Sequence, residues 1–164
     1  MENFYYFNNE ETNYTKYLIK EVLKKRYILD ASVVSKWYYQ KDEEDFKNAL
    51  IIYNKLQSEN YTFFAPDLLI YELLNIYRNK SELDSPRINK IISELYDLIV
   101  IVGINKNTFS KSFQISRKFD ISLYDSVYIA ITEDLGANLI TADKRLYDSI
   151  KLSNSKITLL SDFL

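Results

Sequence analysis

The sequence contains no histidine and no cysteine. Without histidine there is no Ser-His-Asp or Cys-His nucleophilic machinery. A ribonuclease built on a histidine acid–base pair is excluded as well. Without either residue there is no zinc site of imidazole or thiolate, and without cysteine no disulfide framework. That pattern suits a reducing compartment, and the cytoplasm is the expected location. Glycine and proline number two each, while Lys, Asn, Ile and Tyr are frequent, a bias that AT-rich coding explains. No apolar run reaches 18 residues, so no membrane span is expected. The first 13 residues are polar and aromatic with no signal-type apolar core. A net charge of −2 gives no basic surplus, so any nucleic-acid contact must use local positive patches. Hydrolytic chemistry in such a chain has to rest on carboxylates, with a hard cation, or on Lys and Tyr.

What is present organises itself around two stretches. Leu139-Ile140-Thr141-Ala142-Asp143 is a short β-leaning run that ends in an acid where a helical pattern, Lys144–Ile150, begins. Tyr27-Ile28-Leu29-Asp30 followed by Ala31-Ser32-Val33-Val34 repeats that grammar. In open α/β sheets the ligand crevice lies at the carboxyl ends of the strands. Between these stretches, strand and helix patterns alternate at spacings too long for hairpins. The periodicity predicts helices over 31–39, 43–58, 67–79, 86–98, 107–119 and 122–135. It predicts strands over 26–30, 61–65, 99–102, 139–142 and 156–160, and a helix over 12–25. Gln40-Lys41-Asp42 reads as a break. Ile99-Val100-Ile101-Val102 reads as a buried strand, Asp67 as a helix cap, and Phe109, Phe113 and Ser116 as one helix face. The expected fold is α/β, a three-layer α/β/α sandwich with a parallel central sheet. The expected organisation is an N-terminal extension, 1–25, and one domain, 26–164.

Asp30 and Asp143 fall at strand ends, where each has an ordinary reading as a helix cap. Ser122-Leu123-Tyr124-Asp125 reads as a capping box. Glu72 differs, because it lies on the apolar stripe of Leu69, Leu73 and Ile76, and none of these offers a buried carboxylate a partner. Taken together, the four can converge on one crevice, where their mutual repulsion calls for a cation. Oxygen-only ligands suit Mg²⁺ or Mn²⁺, which can activate water and stabilise charge on a phosphate.

Four blocks carry a family resemblance: Tyr27 to Ser32, Glu72 to Asn75, Leu123 to Ala130 and Leu139 to Leu146. In that order they resemble the signature blocks of PIN-domain nucleases, VapC-type toxins in particular, over about residues 26–160. The resemblance implies a metal-dependent endoribonuclease that cleaves RNA with water. It implies Asp30, Glu72, Asp125 and Asp143 as catalytic metal ligands, with Ser32, Asn75 and Thr141 supporting them. It also implies a homodimer and a cognate antitoxin partner. The helices of 43–79 are the candidate partner surface. Residues before Arg26 depart from the family's minimal domain. The alternative function is a PIN-like module that binds RNA or protein without cutting. A receiver domain lacks its phosphorylatable Asp, since Val102 is followed by Gly103. A dehalogenase-type phosphatase lacks its second Asp, since residue 32 is Ser. Lys36, Arg78, Lys144 and Arg145 lie near the acids in sequence and are candidate phosphate contacts, Lys144 and Arg145 foremost.

Overall fold

In this computed structural model the described residues are 17–39, 45–153 and 156–163. The expected break at 40–42 and the residues before 17 lie outside them.

The first strand, β1 (Lys25–Leu29), ends in Ile28 and Leu29, both fully buried. Successive side chains of a strand point to opposite faces, so the two enter different cores. Leu29 joins one built from α2 (Ala31–Tyr38), α3 (Phe46–Lys55), α4 (Leu68–Tyr77) and α5 (Ser85–Leu98). Ile28 joins another built from α6 (Lys106–Phe119), α7 (Leu123–Leu135) and α8 (Lys144–Ile150). Ile140 and Leu139 of β4 (Asn138–Thr141) divide in the same way. A sheet apolar on both faces needs helices on both, which gives the α/β/α sandwich. With β2 (Tyr61–Pro66), β3 (Val100–Val102) and β5 (Ile157–Leu159), the order is β3-β2-β1-β4-β5, all parallel. The chain builds outward from β1 in one direction and resumes on its other side with β4. The switch point therefore lies between β1 and β4, where Ile28 pairs with Leu139.

Helix α7 is buried from Ser126 to Thr132, so it shows no clean amphipathic stripe. Two of its buried hydroxyls are satisfied within the helix: Ser126 donates to Leu123 O at 2.6 Å and Thr132 to Tyr128 O at 2.7 Å. Gly136 closes it at φ 60°, a left-handed conformation that glycine adopts without strain.

Several expected faces are revised. In α6 the buried residues are Thr108, Ser112 and Ile115, while Phe109 and Phe113 are more than half exposed. The Ser112 hydroxyl is satisfied by Thr108 O, so a small polar residue can occupy the inner face. β3 is an edge strand, and Val100 is exposed, not buried. The buried stripe of α4 is Leu69, Leu73 and Tyr77; Ile76 is exposed. Asp67 precedes α4 but makes no side-chain cap hydrogen bond. In α3 the buried pair is Ala49 and Ile52. Residues 17–23 form the helical α1, in which Tyr17, Leu18, Ile19, Val22 and Leu23 are all exposed. None of the described helices is long and apolar enough to cross a membrane.

Candidate active site

Asp30 and Asp143 leave the carboxyl ends of the two strands that meet at the switch point. Asp30 stands at the start of α2, yet its side chain does not cap that helix. It is 6% exposed, and its Oδ2 accepts hydrogen bonds from the Ser32 hydroxyl at 2.7 Å and the Thr141 hydroxyl at 2.5 Å. The capping reading of Asp30 is thus replaced by a buried carboxylate held by two hydroxyls. Those hydroxyls also bind the second strand end: Ala142 N–H donates to Ser32 Oγ and Asp143 N–H to Thr141 Oγ1. One polar network therefore locks the ends of β1 and β4 together. Burial raises the Asp30 pKa, the two hydroxyls pull against that, and Asp125 adds to it. Asp143 does cap its helix, with Oδ1 accepting from Arg145 N–H at 2.7 Å and Leu146 N–H at 3.1 Å.

The other two acids come from helices in opposite layers. Glu72 on α4 is only partly buried, and it has a partner that its own helix does not supply. The Tyr128 hydroxyl of α7 donates to its Oε2 at 2.5 Å. Tyr128 belongs to the core at 1% exposure, but its phenol also serves the site. Its apolar neighbours on α7 carry no signal of that second role. Desolvation lifts the Glu72 carboxyl to about 7, the Tyr128 bond opposes this, and Asp30 and Asp125 push it further up. Burial first, and then the charges of Asp30 and Glu72, hold the Tyr128 phenol well above its ordinary value. Asp125 sits in the first turn of α7. Its backbone N–H donates to Ser122 Oγ, and its Oδ2 accepts from the Ser122 hydroxyl at 2.7 Å.

All four acids line one cleft of about 780 Å³, together with Ser32, Asn75, Leu68, Tyr71, Ile76 and Tyr124. Thr141 does not line the cleft itself and acts on it through Asp30 and Asp143. Among the described residues no three acids are close enough, as their side chains lie, to grip one cation. Two of them are turned to local partners: Asp143 to the α8 backbone and Asp125 to Ser122. The donor chemistry nevertheless fits a hard divalent ion, because every candidate ligand is an oxygen and the carboxylates repel one another. The proposed cations do not join the acids. Lys144 and Arg145 are exposed on the first turn of α8 and do not line the cleft. Lys36 is buried at 7% exposure. Arg78 lines a separate hollow between α4 and α5.

Comparison with known proteins agrees with this architecture. The PIN domain family matches residues 27–151. Ribonuclease VapC3 of Pyrobaculum aerophilum is 20% identical over 124 residues, covering 73% of this chain and 90% of that protein. A toxin–antitoxin complex from Klebsiella pneumoniae superposes with a TM-score of 0.61 at 11% identity, covering 81% of this chain and 96% of its own. VapC20 of Mycobacterium tuberculosis, a toxin that cleaves the sarcin–ricin loop, gives 0.62 at 10% identity, with 75% and 94% covered. VapBC2 of Rickettsia felis, bound to a DNA fragment from its promoter, gives 0.56 at 14% identity, with 82% and 96% covered. At such identities the structural likeness establishes the fold. The family match spans both strand-end acids and both helix-borne acids, and the chain belongs to the PIN domain family.

Proposed function

We propose that the chain is a metal-dependent endoribonuclease, the toxin of a toxin–antitoxin pair, that cleaves RNA phosphodiesters with activated water. The observation that carries the reading is the cleft itself, where Asp30, Glu72, Asp125 and Asp143 arrive from four separate elements. Mg²⁺ or Mn²⁺ would be held by these carboxylates, and would supply a nucleophilic water and charge stabilisation at the phosphate. Ser32 and Thr141 hold Asp30, Tyr128 holds Glu72, and Asn75 offers a neutral hydrogen-bonding group to the substrate. Lys144 and Arg145, exposed outside the cleft, would contact the phosphate chain beyond it. VapC3 and VapC20 are named as a ribonuclease and an RNA-cleaving toxin, and both support this assignment.

The neighbours that are toxin–antitoxin complexes support a cognate antitoxin, and the chain is proposed to act as a homodimer in the cytoplasm. The exposed apolar residues of α1 are a further surface for such contacts, beyond the helices of 43–79. In this reading 1–25 is an extension on a nuclease domain of 26–164. The local capping of Asp143 and Asp125 favours a second reading, a PIN-like module that binds RNA or protein without cutting. A mixed RNA panel incubated with Mn²⁺, Mg²⁺ or EDTA separates the two. The nuclease reading requires fragments with metal and none with EDTA; intact RNA under all three conditions would leave the binding module.

A further inference from the structure

Two aromatic rings stand in water at the acid cleft. Tyr71 is 72% exposed and Tyr124 is 61% exposed, and both line it. Each directly precedes an acid, Tyr71 before Glu72 and Tyr124 before Asp125, but they belong to different helices, α4 and α7. Among the described residues neither ring packs against another aromatic ring. Their exposure means the core does not depend on them. Tyrosine of this size normally covers its ring in a fold and leaves only the hydroxyl wet.

The charge of the cleft sharpens the point. Its described lining contains four carboxylates and no Lys or Arg. A phosphodiester chain entering it meets no cationic side chain of the described lining, so beyond the scissile phosphate, which the proposed metal would meet, the ionic grip that usually dominates nucleic-acid binding is missing from the cleft wall. The uncharged part of the nucleotide is left, and every base has a π-face that stacks on an aromatic ring regardless of sequence. We propose that Tyr71 and Tyr124 are base-stacking residues that hold the unpaired nucleotides flanking the scissile phosphate. The proposal rests on the ribonuclease reading. It makes single-stranded RNA the substrate form, because duplex bases are already stacked on one another and have no face to give. Asn75 adds a neutral hydrogen-bonding group to the lining of the cleft, and Leu68 and Ile76 add apolar surface.

The test uses the full chain and a labelled, unstructured oligoribonucleotide of about eight nucleotides, within the usual span of single-strand sites. Binding is read by fluorescence anisotropy in Ca²⁺, with the same strand free and annealed to its complement. Steady-state cleavage is read in Mn²⁺. Tyr71→Ala and Tyr124→Ala should each weaken single-strand binding roughly tenfold, with the loss falling on KM. Tyr71→Phe and Tyr124→Phe should restore it, because the ring and not the hydroxyl stacks. Melting temperatures should be unchanged, and wild type should prefer the single strand over the duplex. Alanine variants that bind like wild type, phenylalanine variants as weak as alanine, or no preference for the single strand would each overturn the proposal. So would a wild-type chain that binds no RNA, which would leave the rings for a protein partner. Ring-dependent binding with no cleavage in Mn²⁺ would support stacking and sink the ribonuclease reading. Cleavage with a KM indifferent to the rings would do the reverse.

Discussion

Glu72→Gln turns the electrostatics of the cleft into a measurable stability. In the folded chain the Glu72 carboxyl titrates near 7, against an ordinary 4.5, chiefly because it is desolvated. Below about 4.5 both folded and unfolded chains carry the proton, and Glu72 exerts no pH-dependent effect. Between 4.5 and about 7 the unfolded chain gives the proton up and the folded chain keeps it, so stability falls as pH rises. Above 7 both are ionised, and the whole penalty is in place. The full span would amount to about 3 kcal/mol at 1.36 kcal/mol per pH unit. Glu72 is only partly buried, so solvent screening reduces this to on the order of 1–2 kcal/mol. Gln keeps an oxygen for the Tyr128 hydroxyl but cannot ionise. In EDTA the variant should therefore match wild type near pH 4.5 and melt above it near pH 8, by roughly 2–6 °C for a domain of this size. Adding Mn²⁺ at pH 8 should reverse the order, because wild type gains binding energy that the variant lacks. Melting curves from pH 4.5 to 8, with EDTA and with Mn²⁺, read both effects. Parallel pH profiles for the two proteins would refute the reasoning.

The Asp30 network gives a second expectation: Thr141→Val removes one of two hydroxyls from a buried carboxylate and should cost about 1–3 kcal/mol in a urea melt. Ser122→Ala should cost about 1 kcal/mol by uncapping α7, and should free the Asp125 carboxylate from its local partner. On α6, Ser112→Leu should destabilise by roughly 1–3 kcal/mol through overpacking, whereas Phe113→Ser should leave the melting temperature nearly unchanged. Equal effects of the last two would contradict the observed inner face.

The strand-end acids were legible because their signal is local: an apolar run, an acid, then a helix start. Both acids emerged at the switch point, and the alternation of strand and helix patterns was enough to give the sandwich. What the sequence did not carry was the non-local pairing. Glu72 looked partnerless because Tyr128 lies 56 residues away in another layer, and its short distance from Glu72 exists only after the layers close. Hydrophobic periodicity also did not reveal the inner face of α6, where Ser112 and Thr108 face inward and the phenylalanines outward. It placed Ile76 in the core, although the residue lines the cleft. The reading of Asp30 as a cap failed for a related reason, since its hydroxyl partner Thr141 comes from β4.

The carboxylate mechanism is tested most directly by RNA cleavage in Mn²⁺ with Asp30→Asn and Asp143→Asn. Asn caps a helix about as well as Asp, so the α8 cap on Asp143 survives the change. Asn also retains an oxygen for the Ser32 and Thr141 hydroxyls at position 30. Both variants should fold and melt in EDTA at or above the wild-type temperature, because repulsion among the acids is relieved. Both should lose cleavage by orders of magnitude. Either variant cutting RNA at the wild-type rate would contradict a site built on these four acids.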